Sequence, residues 1–283
     1  LVNLDFGSDS FTTLALWVII LGGLGQNLSS YTSDQAVVQR YLTTKDTKAA
    51  AKSIWANGIM AALGALLFFF IGTGLYAFYH TNPAQLDPTI QNDQVFPLFI
   101  GTELPAGLAG LIVAGIFAAA QSTVSTSMNS TATTIVTDFM RPFNRCSSGA
   151  GYLKAARGLT LVMGVLGTLA GLLFISPEIR SLMSEYFKVI GMFMGALGGL
   201  FLLGIATTKA NATGAFVGLF AGVGLMIWIW QSTDTNGFLY STIGLLTCLI
   251  VGYAVSVFLP VPQKNLENLT LHTQSKERGQ TVL

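Results

Sequence analysis

Apolar residues run along this chain in long blocks separated by shorter polar stretches. None of the blocks alternates apolar and polar residues in steps of two, as a transmembrane strand would. A bilayer core takes about 20 mainly apolar residues per helix. On that measure the pattern predicts seven spans: Phe11–Leu28, Ile54–Tyr79, Leu108–Thr137, Leu159–Phe174, Met183–Leu203, Ala212–Trp230 and Phe238–Phe258. The expected class is an all-α polytopic membrane protein. A transmembrane domain over residues 1–260 is expected to precede a polar tail, residues 261–283, that holds no further span and is flexible.

Composition agrees with lipid as the solvent: 52% of the 283 residues are hydrophobic and 10% are charged, against roughly 25% charged in a soluble domain. A net charge of +1, with the Lys and Arg residues dispersed, leaves no basic stripe for a phosphate backbone and argues against nucleic acid as a partner. The two histidines, His80 and His272, fall in a loop and in the tail. With no titratable or metal-binding cluster in the spans, neither enzyme chemistry nor a resident cofactor is expected. Cys146, in a polar loop, and Cys248, inside an apolar block, are expected to be free thiols. The chain begins at Leu1 without a charged n-region or cleavage site before its first block, and it reads as a fragment whose N-terminal half is missing.

Basic residues gather on the cytoplasmic side of a membrane protein. Here Arg40, Lys45, Lys48 and Lys52 lie between the first two spans, and Arg141, Arg145, Lys154 and Arg157 between the third and fourth. Lys209 follows the fifth span, and Lys264, Lys276 and Arg278 are in the tail. The intervening loops hold few or no cations, so the N-terminus is expected outside and the C-terminus in the cytoplasm, with the protein in the plasma membrane. The N-x-S/T triplets beginning at Asn27, Asn129, Asn211 and Asn268 then lie in spans or on the cytoplasmic side, where glycans are not added.

The first span ends in the run Gly22 to Tyr31, with three glycines, the amides of Gln26 and Asn27, and the hydroxyls of Ser29 and Ser30. Two readings fit equally. The run breaks the helix, and Gln26, Asn27, Ser29 and Ser30 contact a substrate, as broken helices do in transporters. Alternatively, the glycines admit a neighbouring helix and the amides bond across it. The third span holds a second polar run, Ala118 to Thr131, in which nine residues carry a hydroxyl or an amide. Ser122, Ser125 and Asn129 share a helix face, as do Ala119, Thr123 and Thr126. Hydroxyls and carbonyls are the ligands a hard cation prefers, although each hydroxyl taken singly also fits ordinary back-bonding to a helix carbonyl.

Three segments resemble signatures of the sodium:solute symporter family. They are Ser33 to Leu42, with Asp34-Gln35 followed by Gln39-Arg40; the Ala-Ala, paired-hydroxyl, Asn-Ser run from Ala118 to Ser130; and Gly204 to Ala215 around Lys209. They occur in the family's order up to about Pro260. The resemblance implies a fold of two inverted five-helix repeats, of which this chain is the second half plus two peripheral helices. It also implies Na+-coupled symport of a small organic solute, with Na+ as the coupling ion and lipid and the missing repeat as partners.

The same resemblance places the family's shared sodium site on the Ala119 carbonyl with Ser122 and Thr123, Thr123 standing where a second Ser is commoner. A further sodium site, found in some members, falls on Ser125 and Thr126. The segment Ile59-Met60-Ala61-Ala62 has no Lys where the sugar transporters place a polar contact. The polar runs look closer to the sialic acid branch, with monocarboxylate, proline and sugar transport as alternatives. An anionic solute would need a cation from the missing repeat. A channel, by contrast, would require a continuous polar pore.

Overall fold

The structure is a computed structural model that describes residues 7, 11–146, 148–172, 182–260, 266 and 269–273. Those residues are helical, with no strand among them: α1 (Leu16–Ser33), α2 (Gln35–Leu42), α3 (Thr47–Thr81), α4 (Asn92–Thr102), α5 (Ala106–Thr134), α6 (Gly149–Leu172), α7 (Leu182–Ala206), α8 (Ala212–Ser232) and α9 (Gly237–Phe258). Phe174 and Asn268 lie outside the described residues, as does most of the tail.

Among the described residues, six helices are long and apolar enough to cross a bilayer, one fewer than the sequence pattern predicts. The difference is α1. Its last nine residues include Gln26, Asn27 and four Ser or Thr side chains, and these dilute an 18-residue helix below the others. Neither α2 nor α4 was expected; at 8 and 11 residues they are too short to leave a membrane-length apolar block.

Contacts divide the chain into two compact units, Leu1–Ala50 with Leu182–Leu283, and Ala51–Ser181. In the first, α1, α7 and α8 all pack on α9. Close approach between helices in lipid relies on small residues, because no hydrophobic drive separates helix from solvent there. Gly191, Gly195 and Gly199 of α7 recur at one-turn steps and face Tyr240, Ser241, Leu245 and Cys248 of α9, while Gly214 and Gly218 of α8 face Ser256, Gly252 and Cys248. Cys248 is fully buried at that seam, and both cysteines are free.

Asn211 ties the start of α8 to the end of α9. Its Oδ1 caps the Gly214 amide at 2.8 Å and its Nδ2 donates to the Leu259 carbonyl at 2.8 Å. The described part of the tail is docked, not free: Leu271 donates its amide to the Ile205 carbonyl at 3.0 Å, and His272 Nε2 lies 3.0 Å from the Ala206 carbonyl. Helix C-termini leave their last carbonyls unpaired, and this segment supplies partners to the end of α7.

In the second unit, α3 carries exposed apolar side chains along most of its length, including Phe68, Phe69 and Phe70, the surface of a membrane-spanning helix. Its last turn packs Phe78 edge-on to Phe99 of α4, ring centroids 5.2 Å apart. Between them, Asp87 closes a tight turn by accepting from the Thr89 amide at 2.8 Å and the Thr89 hydroxyl at 2.7 Å. Those two hydrogen bonds hold its carboxyl below the usual carboxylate range. The helix α5 does not stop at Thr134 but widens into a π-helical segment, Ile135–Met140, in which the Val136 carbonyl accepts from the Arg141 amide five residues on at 2.9 Å.

Candidate functional site

The glycines of α1 do not break it. The helix is continuous from Leu16 to Ser33, and the chain departs from helical geometry at Asp34, with φ −76° and ψ 113°. The glycines serve the other role open to them. A Cβ on Gly22 would lie 2.7 Å from the Phe238 carbonyl carbon, and one on Gly25 2.7 Å from Thr242 Cα, so both are sites where α9 approaches the α1 backbone. The expected interruption is therefore displaced to Asp34. That residue's Oδ1 accepts from the Ala36 amide at 2.8 Å and caps α2. Beyond it, Tyr41 of α2 stacks on Tyr31 of α1, with ring centroids 6.3 Å apart.

The four candidate substrate residues of α1 point in different directions. Gln26 Oε1 accepts a hydrogen bond from Ser241 Oγ of α9. Asn27 is exposed, and its Nδ2 donates to the Gly23 carbonyl at 2.8 Å, which leaves Oδ1 as an outward acceptor. Ser29 is fully buried with its hydroxyl unpartnered, while its carbonyl accepts from Ser33 Oγ at 2.7 Å. Ser30 is half-buried, and its carbonyl accepts from the Asp34 amide at 3.2 Å.

On α5, in the other unit, the hydroxyls and carbonyls form clusters of oxygen. Thr123 Oγ1 lies 3.2 Å from the Ala119 carbonyl, with Ser122 beside it in sequence. One turn further on, Ser125 Oγ and Thr126 Oγ1 both converge on the Ser122 carbonyl, at 3.0 and 2.9 Å. Residues three and four positions after a carbonyl share its face. Oxygens about 3 Å apart can also share one hard cation held at about 2.3–2.6 Å. Thus the spacing that permits back-bonding also permits coordination.

The Ser122 carbonyl was not among the residues singled out from the sequence, because a backbone oxygen carries no residue-type signal. Thr123 and Ser127 line one groove of about 640 Å³ between α5 and α6, with Met128 and Gly164 opposite each other across it. Ser241 was missed as well. It stands 215 residues from Gln26 in an apolar block, with nothing local to mark it. Glu185 and Lys188, three residues apart on α7, pair at 2.9 Å.

Comparison with known proteins gives this arrangement a context. The chain is 33% identical over 261 residues to the sodium/sialic acid symporter NanT of Aliivibrio fischeri, an overlap of 92% of this chain and 51% of that protein. It is equally similar to the sodium/sialic acid symporter SiaT of Proteus mirabilis, with 92% and 53% covered. A solved structure of a substrate-bound, outward-open Na+-coupled sialic acid symporter superposes with a TM-score of 0.75 at 33% identity, covering 90% of this chain and 52% of that one. The chain thus spans about half the length of the curated relatives it matches. The helices from α1 to α7, with the hydroxyl-rich α5 among them, and the first half of α8 fall within residues 3–222, which match the model of the sodium:solute symporter family, and the chain belongs to that family.

Proposed function

We propose that the protein couples the entry of Na+ to the uptake of a small organic solute, and that the solute is sialic acid or a closely related anionic sugar. The observation that carries this reading is the pair of oxygen clusters on α5. Ala119 O with Ser122 and Thr123 would hold one Na+, and Ser122 O with Ser125 and Thr126 a second. Such sites hold a hard monovalent ion without burying a full negative charge, because each ligand is a neutral oxygen dipole.

Gln26, Asn27 and Ser30 are assigned to the solute side, and Ser29, buried against Gly198 of α7, to helix packing. Asn27 Oδ1 offers an exposed acceptor and the Gln26 amide nitrogen two donors. The solute's negative charge would be met by a cation outside this chain's spans, since none of its Lys or Arg residues lies at mid-membrane depth. In this reading residues 1–260 form the second inverted repeat with two peripheral helices in the plasma membrane, surrounded by lipid, and residues 261–283 are cytoplasmic. Coupling follows when Na+ and solute favour the same conformation, so that each raises the other's affinity by the same factor. The relatives' named substrate supports the choice of solute.

The test is uptake of labelled sialic acid by the complete protein in proteoliposomes, with an inward Na+ gradient and with K+ in its place, at a clamped membrane potential. Sodium-dependent uptake competed by unlabelled sialic acid is expected. Uptake unchanged without Na+ would overturn the coupling. Sodium-dependent uptake competed by lactate, proline or glucose but not by sialic acid would reassign the solute.

A further inference from the structure

We propose that Ser241 of α9 is a positioning residue for the solute contact of Gln26. By donating to Oε1 it fixes the carboxamide so that both N–H donors on Nε2 are presented to acceptor oxygens of the solute, a carboxylate, carbonyl or hydroxyl group. This deepens the function proposed above and rests on it.

Ser241 is suited to the task because it cannot move. It is 1% exposed, and α7 closes on it from behind: a Cβ on Gly191 would lie 2.8 Å from the Ser241 amide nitrogen, and one on Gly195 2.5 Å from its carbonyl oxygen. A second bond from the next residue holds the same two helices in register, Thr242 Oγ1 donating to the Leu21 carbonyl at 2.6 Å. A serine hydroxyl has one hydrogen to give, and here Gln26 Oε1 takes it.

The amide's orientation follows from that donation. With Oε1 occupied, Nε2 is the remaining polar atom of Gln26, and it can only donate. Next to it in sequence, Asn27 spends its own nitrogen on the Gly23 carbonyl and keeps Oδ1 as an acceptor. The two neighbouring amides therefore offer complementary chemistry, donors from Gln26 and an acceptor from Asn27. A solute bearing both oxyanion and hydroxyl groups matches that pairing. Without Ser241, the flexible Gln26 side chain would sample both amide orientations and several rotamers, and only a fraction would present the donors.

The experiment is a double-mutant cycle on the complete protein in proteoliposomes, using labelled sialic acid. It compares wild type, Ser241→Ala, Gln26→Ala and the double variant, with Gln26→Glu alongside. Ser241→Ala is expected to raise the half-saturating sialic acid concentration roughly three- to tenfold, the range of one ordinary hydrogen bond. The half-saturating Na+ concentration at saturating solute should stay at its wild-type value. In the Gln26→Ala background, Ser241→Ala should add nothing.

Gln26→Glu keeps the acceptor for Ser241, and hence the bond between α1 and α9, but lacks the donors. It should lose sialic acid affinity as severely as Gln26→Ala while retaining the wild-type melting temperature, which keeps the test open if Ser241→Ala folds poorly. Additive effects in the cycle, or wild-type sialic acid affinity in Gln26→Glu, would make Ser241 a packing residue and overturn the proposal. Sodium-independent uptake by the wild type would instead sink the functional reading and this proposal with it.

Discussion

Ser29 of α1 lies against Gly198 of α7 so closely that a Cβ at position 198 would come within 2.7 Å of the Ser29 Cα atom. This contact sorts the polar residues of α1 by face. Ser29 looks into a helix seam, Gln26 toward α9, and Asn27 outward. Residues one and two positions apart on a helix point in different directions, so a run of polar side chains this closely spaced cannot all serve one ligand in the same way.

Asn27→Ala is accordingly expected to weaken solute affinity several-fold, the loss of one hydrogen bond worth about 1 kcal/mol, with surface expression unchanged. Ser29→Ala should leave the melting temperature no lower than wild type, because it removes a buried hydroxyl that has no partner. Transport titrations and thermal unfolding of both variants check the split. Normal affinity in Asn27→Ala would remove that residue from the solute site.

Ser122→Ala and Thr123→Val each delete one oxygen from the α5 clusters. A ligand to a charged group is worth about 1.5–3 kcal/mol, so each should raise the half-saturating Na+ concentration very roughly ten- to hundredfold. Since linkage is reciprocal, solute affinity at subsaturating Na+ should fall too and recover at high Na+. Thr73→Val on α3 is the control. Its hydroxyl back-bonds to the Phe69 carbonyl at 2.9 Å in the same manner but stands alone. Wild-type Na+ dependence in both α5 variants would leave the ladder as helix packing only.

Two glycine substitutions should move stability in opposite directions. Gly195→Ala sets a methyl group against the Ser241 backbone at 2.5 Å, which a side-chain rotation cannot relieve, and overpacking of this kind costs about 1–3 kcal/mol. Gly224→Ala, on an exposed face of α8 with nothing within 4 Å, should gain about 0.5–1 kcal/mol from lower backbone entropy. Melting in detergent should show the first variant below wild type and the second at or above it.

The Asp87 turn gives a pH dependence with a definite sign. Its carboxyl titrates below the ordinary value near 3.9 because the Thr89 amide and hydroxyl bond to its charged form. The turn's stabilisation is therefore complete above that ordinary value and is lost as pH falls through the lower, folded-state value. Protection of the Thr89 amide from hydrogen exchange should stay flat down to about pH 4 and decline below it. Asp87→Ala should abolish the protection at neutral pH.

The long apolar helices were legible because membrane hydropathy is dense and local: α3, α7, α8 and α9 begin and end within a few residues of the expected limits, apart from the extra turns at the start of α3. The behaviour of α1 was not. A glycine signals helix weakness and close packing alike, and the deciding neighbours, Phe238 and Thr242, lie more than 200 residues away. Asp34 carries a cap signal, a short acidic side chain just before a helix, but α2 at 8 residues leaves no apolar block by which the pattern would mark a helix there. The shared faces of the α5 hydroxyls were legible in their three- and four-residue spacing, but their grouping into ion sites came from the resemblance to the symporter family, and the Ser122 carbonyl carries no residue-type signal at all.

The π-helical segment Ile135–Met140 bears on how α5 tolerates a change in length. A π turn is an α-helix that has absorbed one extra residue, so deleting one residue there would relax the segment into ordinary α geometry. The oxygen clusters from Ala119 to Thr126 lie upstream and would keep their phase, and the chain from Arg141 onward would turn by much less than the roughly 100° that one residue spans in a regular helix, because the widened turn already holds the extra residue. A single-residue deletion anywhere between Ala119 and Thr126, by contrast, would turn one half of the candidate ion-binding face away from the other. Length variation in this helix therefore has a buffered position, set beyond the last candidate ligand.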